Sequence, residues 1–256
     1  MTLAQRDQRT GRRDREPALD TAARGSSMAR PAESVARDDI GMLSTEHWSL
    51  LSTRSLGWNE MAGRTQMYLT ALSGTVVALA LAAQGTDFGP QFVWFALGLM
   101  PPLLFIGIVT FVRLVYLNRE DARWLQGMNR IRHAYVEASP AIERHLVTSP
   151  YDDARGLYRS YAADPPAGQH LHALFTTPGM VSVINAVVGA AIAGIASQAL
   201  GLATVFAGAI AVAGFIALFV AQWRYQTRVL AMGSGLTPEF PHPEASPRPI
   251  KGHPQP

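Results

Sequence analysis

The chain has 256 residues, of which only 16% are charged, whereas soluble domains carry roughly 25%. It contains no cysteine, which excludes disulfides, thiolate catalysis and cysteine-ligated zinc. The net charge of +3 does not indicate a nucleic-acid partner, because the arginines cluster beside apolar segments and acidic residues nearly balance the basic N-terminal region.

Three stretches contain no Asp, Glu, Lys or Arg, namely residues 67–83, 92–112 and 180–221. A helix needs about 20 apolar residues to cross a bilayer, and the last stretch is about twice that length. A buried helix of a soluble protein is the alternative for any single stretch. Together they predict an all-α membrane helical bundle of four spans, arranged as two hairpins, with amphipathic helices on the cytoplasmic side.

The chain begins with residues 1–41, which lack aromatic residues and any apolar pattern and are predicted to form a disordered arm. The arm is either a solvated tail or a basic segment on anionic lipid. Residues 42–116 are predicted to form an amphipathic helix and the first transmembrane hairpin. Trp48 and Trp58 precede the first span as candidate interfacial anchors, although packing against another cytoplasmic helix explains them equally well.

The second span contains Pro101 and Pro102 near its middle. Each proline removes a backbone donor and clashes with the preceding turn, so the pair predicts a kink and is a candidate hinge. A kink without a mechanical role is the alternative, since prolines are ordinary in membrane helices. Arg113 and Tyr116 follow as interfacial anchors, with the arginine side chain extending towards the headgroups.

Residues 117–178 are predicted to form a cytoplasmic helical connector. It begins with a helical stripe of apolar residues that only Asp121 interrupts, and it continues as short helices and loops between prolines.

The second transmembrane hairpin is predicted for residues 179–228, with a turn at Gly201. Trp223 and Arg224 are the anchors at its end. Residues 229–256 are rich in proline and glycine and are predicted to form a disordered tail.

The arginines predict the orientation of these spans. All 22 basic residues lie before the first span, between the second and third spans, or after the fourth span, and the two hairpin turns contain none. Basic residues favour the cytoplasmic side of a membrane. We therefore expect a multi-pass protein of the cell membrane with both termini in the cytoplasm.

Candidate contacts inside the bundle are one amide and several small residues. Asn185 is the most polar side chain within a span and is either an interhelical contact or a pore or ligand contact. Gly74, Gly189 and Gly194 belong to ridges of small residues that let helices approach closely. Gly189 and Gly194 lie roughly 140° apart around their helix, which predicts one packing face within the bundle and another against a neighbouring subunit.

The connector also contains the residues that most resemble an enzyme site. Asp152 and Asp153 suggest Mg²⁺ coordination in a lipid-modifying enzyme, but no second aspartate pair follows and a capped turn is the better interpretation. His170 and His172 lack a third metal ligand at useful spacing. The sequence therefore predicts no catalytic residue, no metal site and no cofactor.

Three short motifs resemble uncharacterised multi-pass membrane proteins of high-GC bacteria, namely Glu46-His47-Trp48-Ser49-Leu50-Leu51, Trp58-Asn59-Glu60 and Asn118-Arg119-Glu120-Asp121. The heavy use of alanine and arginine, with a single lysine, fits that origin. The resemblance extends over residues 42–228 and implies no activity and no site residues.

Two functions follow as hypotheses. The first is a non-enzymatic homo-oligomer that acts as a scaffold or pore-type effector, with cytoplasmic helices that bind a partner or sense a ligand. The alternative is a small transporter or channel subunit for a neutral or lipophilic substrate. A Mg²⁺-dependent lipid-modifying enzyme is a remote third hypothesis.

Overall fold

The structure, a computed structural model, describes residues 30–161 and 176–243. The chain divides into two compact units, Met1–Leu43 and Ser44–Pro256, and all contacts described below lie within the second unit. Within the described residues every regular element is helical. In chain order these are α1 (Arg30–Thr86), α2 (Pro90–Ala138), a 3-10 helix (Pro140–His145), α3 (Ala154–Ser160), α4 (Thr177–Ala199) and α5 (Thr204–Ala231).

Four helices, α1, α2, α4 and α5, are long and apolar enough to cross a membrane. They form two hairpins, since a turn at Asp87 and Phe88 joins the first pair and a turn at Gly201 joins the second. The positive φ of 81° at Gly201 explains why glycine occupies that turn. The predicted all-α fold with four candidate spans is confirmed.

Helices α1 and α2 continue far beyond their apolar segments. Helix α1 runs for 57 residues, so the amphipathic helix and the first span are one helix. Helix α2 runs for 49 residues and stays helical through Pro101 and Pro102, whose side chains are exposed. The extensions of the two helices lie next to each other, and a Cβ atom on Gly127 of α2 would lie 3.3 Å from Leu50 Cδ1 of α1.

The centre of the bundle is formed by α2, α4 and α5, which approach each other at backbone distance. Leu103, Phe111 and Leu114 of α2 are buried there with Val181 and Val188 of α4. Helix α1 reaches this centre mainly through the ends of its longer side chains. The bundle therefore consists of three closely packed helices and one helix attached from outside.

The two glycines of α4 both lie next to α5. A Cβ atom on Gly189 would lie 2.7 Å from Leu218 Cδ2 and 3.8 Å from Leu104 Cδ2, and one on Gly194 would lie 3.3 Å from Ala211 Cβ. Both glycines thus face α5 of the same chain, and Gly189 also lies near Leu104 of α2. Whether one of them also faces a neighbouring subunit stays a prediction.

The two ends of the chain also differ from the prediction where they are described. Helix α1 already begins at Arg30, inside the segment predicted as a disordered arm, and residues 1–29 lie outside the described residues. After α5, residues 232–243 pack against the connector through backbone groups, so this part of the predicted tail is ordered. Residues 162–175 and 244–256 lie outside the described residues.

Candidate functional site

A buried polar cluster joins three helices near the end of the bundle where α2 continues into the connector. We call Tyr68, Asn185 and Gln222 the inner cluster. The Tyr68 hydroxyl donates to Asn185 Oδ1 at 2.7 Å, and the Asn185 amide donates to Gln222 Oε1 at 3.0 Å. The Gln222 amide in turn faces the carbonyl oxygens of Ser182 and Leu218 at 3.4 Å. Tyr68 and Asn185 are fully buried, so their polar groups are satisfied by protein alone.

The inner cluster exists because α2 presents a glycine to it. A Cβ atom on Gly107 would overlap Asn185 Oδ1 and would lie 2.8 Å from the Tyr68 hydroxyl oxygen. Real Cβ atoms do not approach other atoms so closely. Gly107 is therefore the residue that lets Tyr68 and Asn185 meet across the surface of α2.

A second polar cluster lies beyond the apolar segments, where the extensions of α1 and α2 meet. We call Arg54, Trp58, Asp121 and Tyr161 the outer cluster. The Asp121 carboxylate accepts hydrogen bonds from Arg54 Nε at 2.6 Å, Arg54 Nη2 at 3.2 Å, Trp58 Nε1 at 3.0 Å and the Tyr161 hydroxyl at 2.6 Å. The Arg54 guanidinium also lies 5.7 Å from the ring centres of Trp58 and Tyr161. Burial, followed by the charge of Asp121, raises the pKa of Tyr161, so this hydroxyl stays protonated and donates.

A set of ion pairs separates the two clusters. Arg113 binds Glu60 through two hydrogen bonds of 2.9 Å and also contacts Glu120 at 3.1 Å. Arg64 donates to Glu60 at 2.7 Å. Glu60 and Glu120 line a cavity of about 170 Å³ that also contacts Trp58. The predicted anchor Arg113 therefore pairs with Glu60 across the α1–α2 interface and with Glu120 of its own helix.

The C-terminal segment, residues 232–243, is attached to the connector by Asp152. The fully buried Asp152 carboxylate accepts from the backbone N–H groups of Glu239 and Phe240 at 3.0 and 2.8 Å. Arg130 of α2 donates to the same carboxylate at 2.7 Å. Burial alone would raise the pKa of Asp152, but these hydrogen bonds outweigh it and lower the pKa below the usual value of 3.8.

The aspartate pair does not present free ligands to a metal. Asp152 is engaged as described, and Asp153 caps α3 by accepting from the N–H of Gly156 at 2.8 Å. No group of three or more potential metal ligands occurs among the residues that the structure describes. His170 and His172 lie outside these residues. The carboxylates thus have structural partners, which supports the interpretation as a capped turn.

The other residues singled out from the sequence are spread over the surface. Trp48 and Tyr116 are exposed, and so is Arg224. Trp223 stacks on Phe219 with ring centres 6.1 Å apart. Gly74 is exposed, and nothing lies within 4 Å of a Cβ placed on it.

Sequence reasoning missed most members of both clusters. Asn185 and the interruption at Asp121 were visible in the apolar pattern, and Trp58 was interpreted either as an interfacial anchor or as a residue that packs against another helix. Tyr68, Gly107 and Gln222 gave no separate signal, because each is common near the end of a membrane helix. Tyr161 follows a short helix whose position the sequence does not define.

No protein family, curated protein or solved structure matches the chain. Its function must therefore be inferred from its own residues.

Proposed function

We propose that the chain is a multi-pass protein of the cell membrane, with four spans and both termini in the cytoplasm. In this proposal it is a non-enzymatic scaffold, and the extensions of α1 and α2 bind a partner or sense a ligand in the cytoplasm. The observation that carries the proposal is the continuation of both helices beyond their apolar segments into a charged, hydrogen-bonded region. That region includes the outer cluster, the connector and the C-terminal segment.

The distribution of polar groups supports this division of roles. Within the apolar segments the buried polar side chains are neutral, whereas the paired ions lie on the helix extensions. Charged groups are costly in hydrocarbon and are expected where water reaches them. The arginines also favour the side of the extensions as the cytoplasmic side. A region with many charged and aromatic side chains on rigid helices is suited to recognition.

The inner cluster argues against the transporter or channel alternative. A pathway for a substrate needs polar groups that face a water-filled space. The amides of Asn185 and Gln222 instead bond to each other and to Tyr68. The cluster is consequently better suited to holding α1 against α4 and α5 than to binding a passing solute.

Homo-oligomerisation remains part of the proposal, and we propose that its surface lies on α1 rather than on α4. Both glycines of α4 are used within the chain, while Gly74 on α1 faces open space. We expect Gly74→Leu to weaken chemical crosslinking between copies in mild detergent without lowering thermal stability. Gly189→Leu is the matched control, because it should lower stability through its clash with Leu218. Wild-type protein that is monomeric at every concentration would remove oligomerisation from the proposal.

Reconstituted protein distinguishes a scaffold from a transporter. Liposomes that contain the wild-type chain should release ions and a neutral dye no faster than liposomes without protein. The Asn185→Leu variant should give the same result, since the amide serves packing. Flux that requires the wild-type chain and changes with Asn185→Leu would contradict the scaffold and favour a pathway through the inner cluster.

A further inference from the structure

We propose that α2 and the connector form a binding site for an extended peptide of a partner protein, and that the chain's own C-terminal segment occupies this site as a tethered competitor. We call it the peptide site. Its side chains are Arg119, Gln126, Arg130 and His133 of α2 and Asp152 and Asp153 of the connector. The inference rests on the proposed recognition role of the helix extensions, and it adds the kind of partner and the way in which access to the site is regulated.

One face of α2 binds carbonyl oxygens of the C-terminal segment. Three side chains of α2, spaced seven and four residues apart, donate to these oxygens. At 100° per residue the three lie within about 40° of one another around the helix, so a single face of α2 follows the backbone of the segment. The donors, each with the residue whose carbonyl oxygen accepts, are Arg119 with Gly233, Gln126 with Leu236 and Arg130 with Thr237.

The connector binds N–H groups of the same segment. The Asp152 carboxylate accepts from the N–H groups of Glu239 and Phe240, and the Asp152 N–H donates to the carbonyl oxygen of Phe240 at 3.2 Å. Asp153 Oδ2 accepts from the N–H of His242 at 3.2 Å. Every peptide has such backbone groups, and in peptide recognition these bonds give affinity while side-chain contacts give specificity.

The ring of Phe240 provides the specific contact. It stacks on His133 with ring centres 4.2 Å apart and ring planes inclined by 22°, and it is half-buried. Pro238 and Pro241 flank the pair Glu239-Phe240. Proline restricts the unbound backbone, which reduces the conformational entropy lost on binding. The peptide site is therefore suited to an aromatic residue that lies between prolines.

Bonds that do not involve the C-terminal segment hold the peptide site in shape. Asn129 of α2 is fully buried, donates to the carbonyl oxygen of Tyr151 at 2.9 Å and accepts from the Ser160 hydroxyl at 3.1 Å. Arg130 of α2 pairs with Asp152 at 2.7 Å. Because these bonds join the connector to α2 directly, the site keeps its shape for another peptide when the segment leaves.

The C-terminal segment can detach without opening the bundle. The hydrophobic core of the bundle ends at Val229, before the segment begins, and residues 232–242 form neither helix nor strand. Gly233 and Gly235, with φ of 60° and 83°, form the bend that turns the chain back from α5. Segments with few buried apolar contacts open at a small cost in free energy, so a partner peptide can replace this one.

A labelled peptide with the sequence of residues 233–243 tests the site, titrated into the full chain in nanodiscs and followed by fluorescence anisotropy. We expect weak binding to the wild-type chain, because the tethered segment competes at an effective concentration on the order of 1 mM. Phe240→Ala in the chain should tighten peptide binding by about tenfold or more, since it weakens the competitor and leaves the site intact. Phe88→Ala, the same change at the exposed turn of the first hairpin, should bind like the wild type.

Two controls establish that the labelled peptide occupies the peptide site. A peptide that carries Phe240→Ala should bind the Phe240→Ala chain about tenfold more weakly than the unaltered peptide does. Adding Asp152→Asn to the Phe240→Ala chain should also weaken binding of the unaltered peptide, because it removes the acceptor of two backbone N–H groups. Adding Glu143→Gln instead, at an exposed carboxylate of the connector, should leave binding unchanged.

Equal affinity of the peptide for the wild-type, Phe240→Ala and Phe88→Ala chains would overturn the proposal, as would equal affinity of the two peptides. If the Phe240→Ala chain is not monodisperse, a protease site inserted between Met232 and Gly233 takes its place. Cleavage frees the competitor, so the peptide should bind more tightly after cleavage than before it. Unchanged affinity on cleavage would contradict a tethered competitor.

This experiment separates the peptide site from the proposed function. Nanodiscs expose both faces of the protein, so the binding result does not depend on which side is cytoplasmic. Absence of peptide binding, with both termini in the cytoplasm, refutes the peptide site alone. Peptide binding with a reversed orientation refutes the proposed function alone.

Discussion

The inner and outer clusters fasten the same helix, α1, to the rest of the molecule in two different ways. In the inner cluster, neutral Tyr68 meets neutral Asn185 with both side chains fully buried. In the outer cluster, Arg54 meets ionised Asp121, and the Arg54 side chain keeps 20% of its exposure. Hydrocarbon tolerates polar groups that satisfy each other without net charge, whereas ion pairs are retained where water still reaches them.

This difference has consequences for stability. Hydrogen bonds between neutral buried groups are insensitive to salt, while exposed ion pairs are screened by it. Substitutions in the inner cluster leave unsatisfied polar groups in apolar surroundings, which lowers the free energy of unfolding more than the loss of an exposed ion pair does. We therefore expect larger losses from the inner cluster and greater salt dependence in the outer cluster.

The largest effect is expected for Gly107→Leu, which pushes a side chain into the space where Tyr68 and Asn185 meet. Overpacking together with the broken hydrogen bonds should lower the free energy of unfolding by about 3 kcal/mol. Gly98→Leu is the matched control on the same helix, since nothing lies within 4 Å of a Cβ at that position. Thermal unfolding in detergent measures the stability of both variants. Equal stability of the two would contradict the role of Gly107 in letting Tyr68 and Asn185 meet.

A smaller loss is expected for Asn185→Leu, which leaves the Tyr68 hydroxyl and the Oε1 atom of Gln222 without their partner. The free energy of unfolding should fall by about 2 kcal/mol. Combining Asn185→Leu with Tyr68→Phe should recover part of this loss, because the second change removes one of the orphaned groups. Additive losses in the double variant would show that the two residues do not interact.

Asp121→Asn tests the outer cluster and should lower the free energy of unfolding by about 1 to 2 kcal/mol, because it leaves Arg54 without its carboxylate. The difference from the wild type should shrink in about 1 M salt, where the Debye length is about 3 Å. The loss caused by Asn185→Leu should not change with salt. Identical salt dependence of the two variants would remove the distinction between the clusters.

The smallest global effect is expected for Asp152→Asn, which loosens the C-terminal segment while leaving the bundle intact. Hydrogen exchange at the N–H groups of Glu239 and Phe240 should become about tenfold faster or more at neutral pH. The pKa of Asp152 is lowered in the fold, so its contribution is fully present above the ordinary value of 3.8 and is lost as the pH falls through the folded value. In the wild type the two amides should therefore lose protection only in acid, and pH-independent protection would contradict the account.

The spans could be predicted because hydrocarbon imposes a length and a composition that stand out in any sequence. Asn185 and Asp121 were visible as polar interruptions of apolar patterns. The role of Gly107 was not visible, since in sequence this residue resembles Gly98 of the same helix. Only the approach of Tyr68 and Asn185 in the structure distinguishes Gly107 from Gly98.

The C-terminal segment illustrates another limit. Its proline and glycine content predicts disorder, yet Asp152 binds the backbone N–H groups of Glu239 and Phe240. Because almost every residue has such a group, the side-chain pattern carries no sign of the contact.

Labelling of single cysteines with a membrane-impermeant maleimide tests the central claim, that the inner and outer clusters lie on the two sides of a water boundary, with the extensions in the cytoplasm. The chain contains no cysteine, so maleimide labelling of each variant reports only on the introduced cysteine. Gly85→Cys and Leu200→Cys, at exposed positions beside the two hairpin turns, should react on intact cells. Val147→Cys and Met232→Cys, which are exposed in the connector and after α5, should react only after the membrane is opened.

In the opened membrane, Tyr68→Cys should remain unlabelled, because that position is fully buried in the bundle. Labelling of Val147→Cys on intact cells, or protection of Leu200→Cys there, would contradict the four-span topology and place the charged extensions on the wrong side of the membrane.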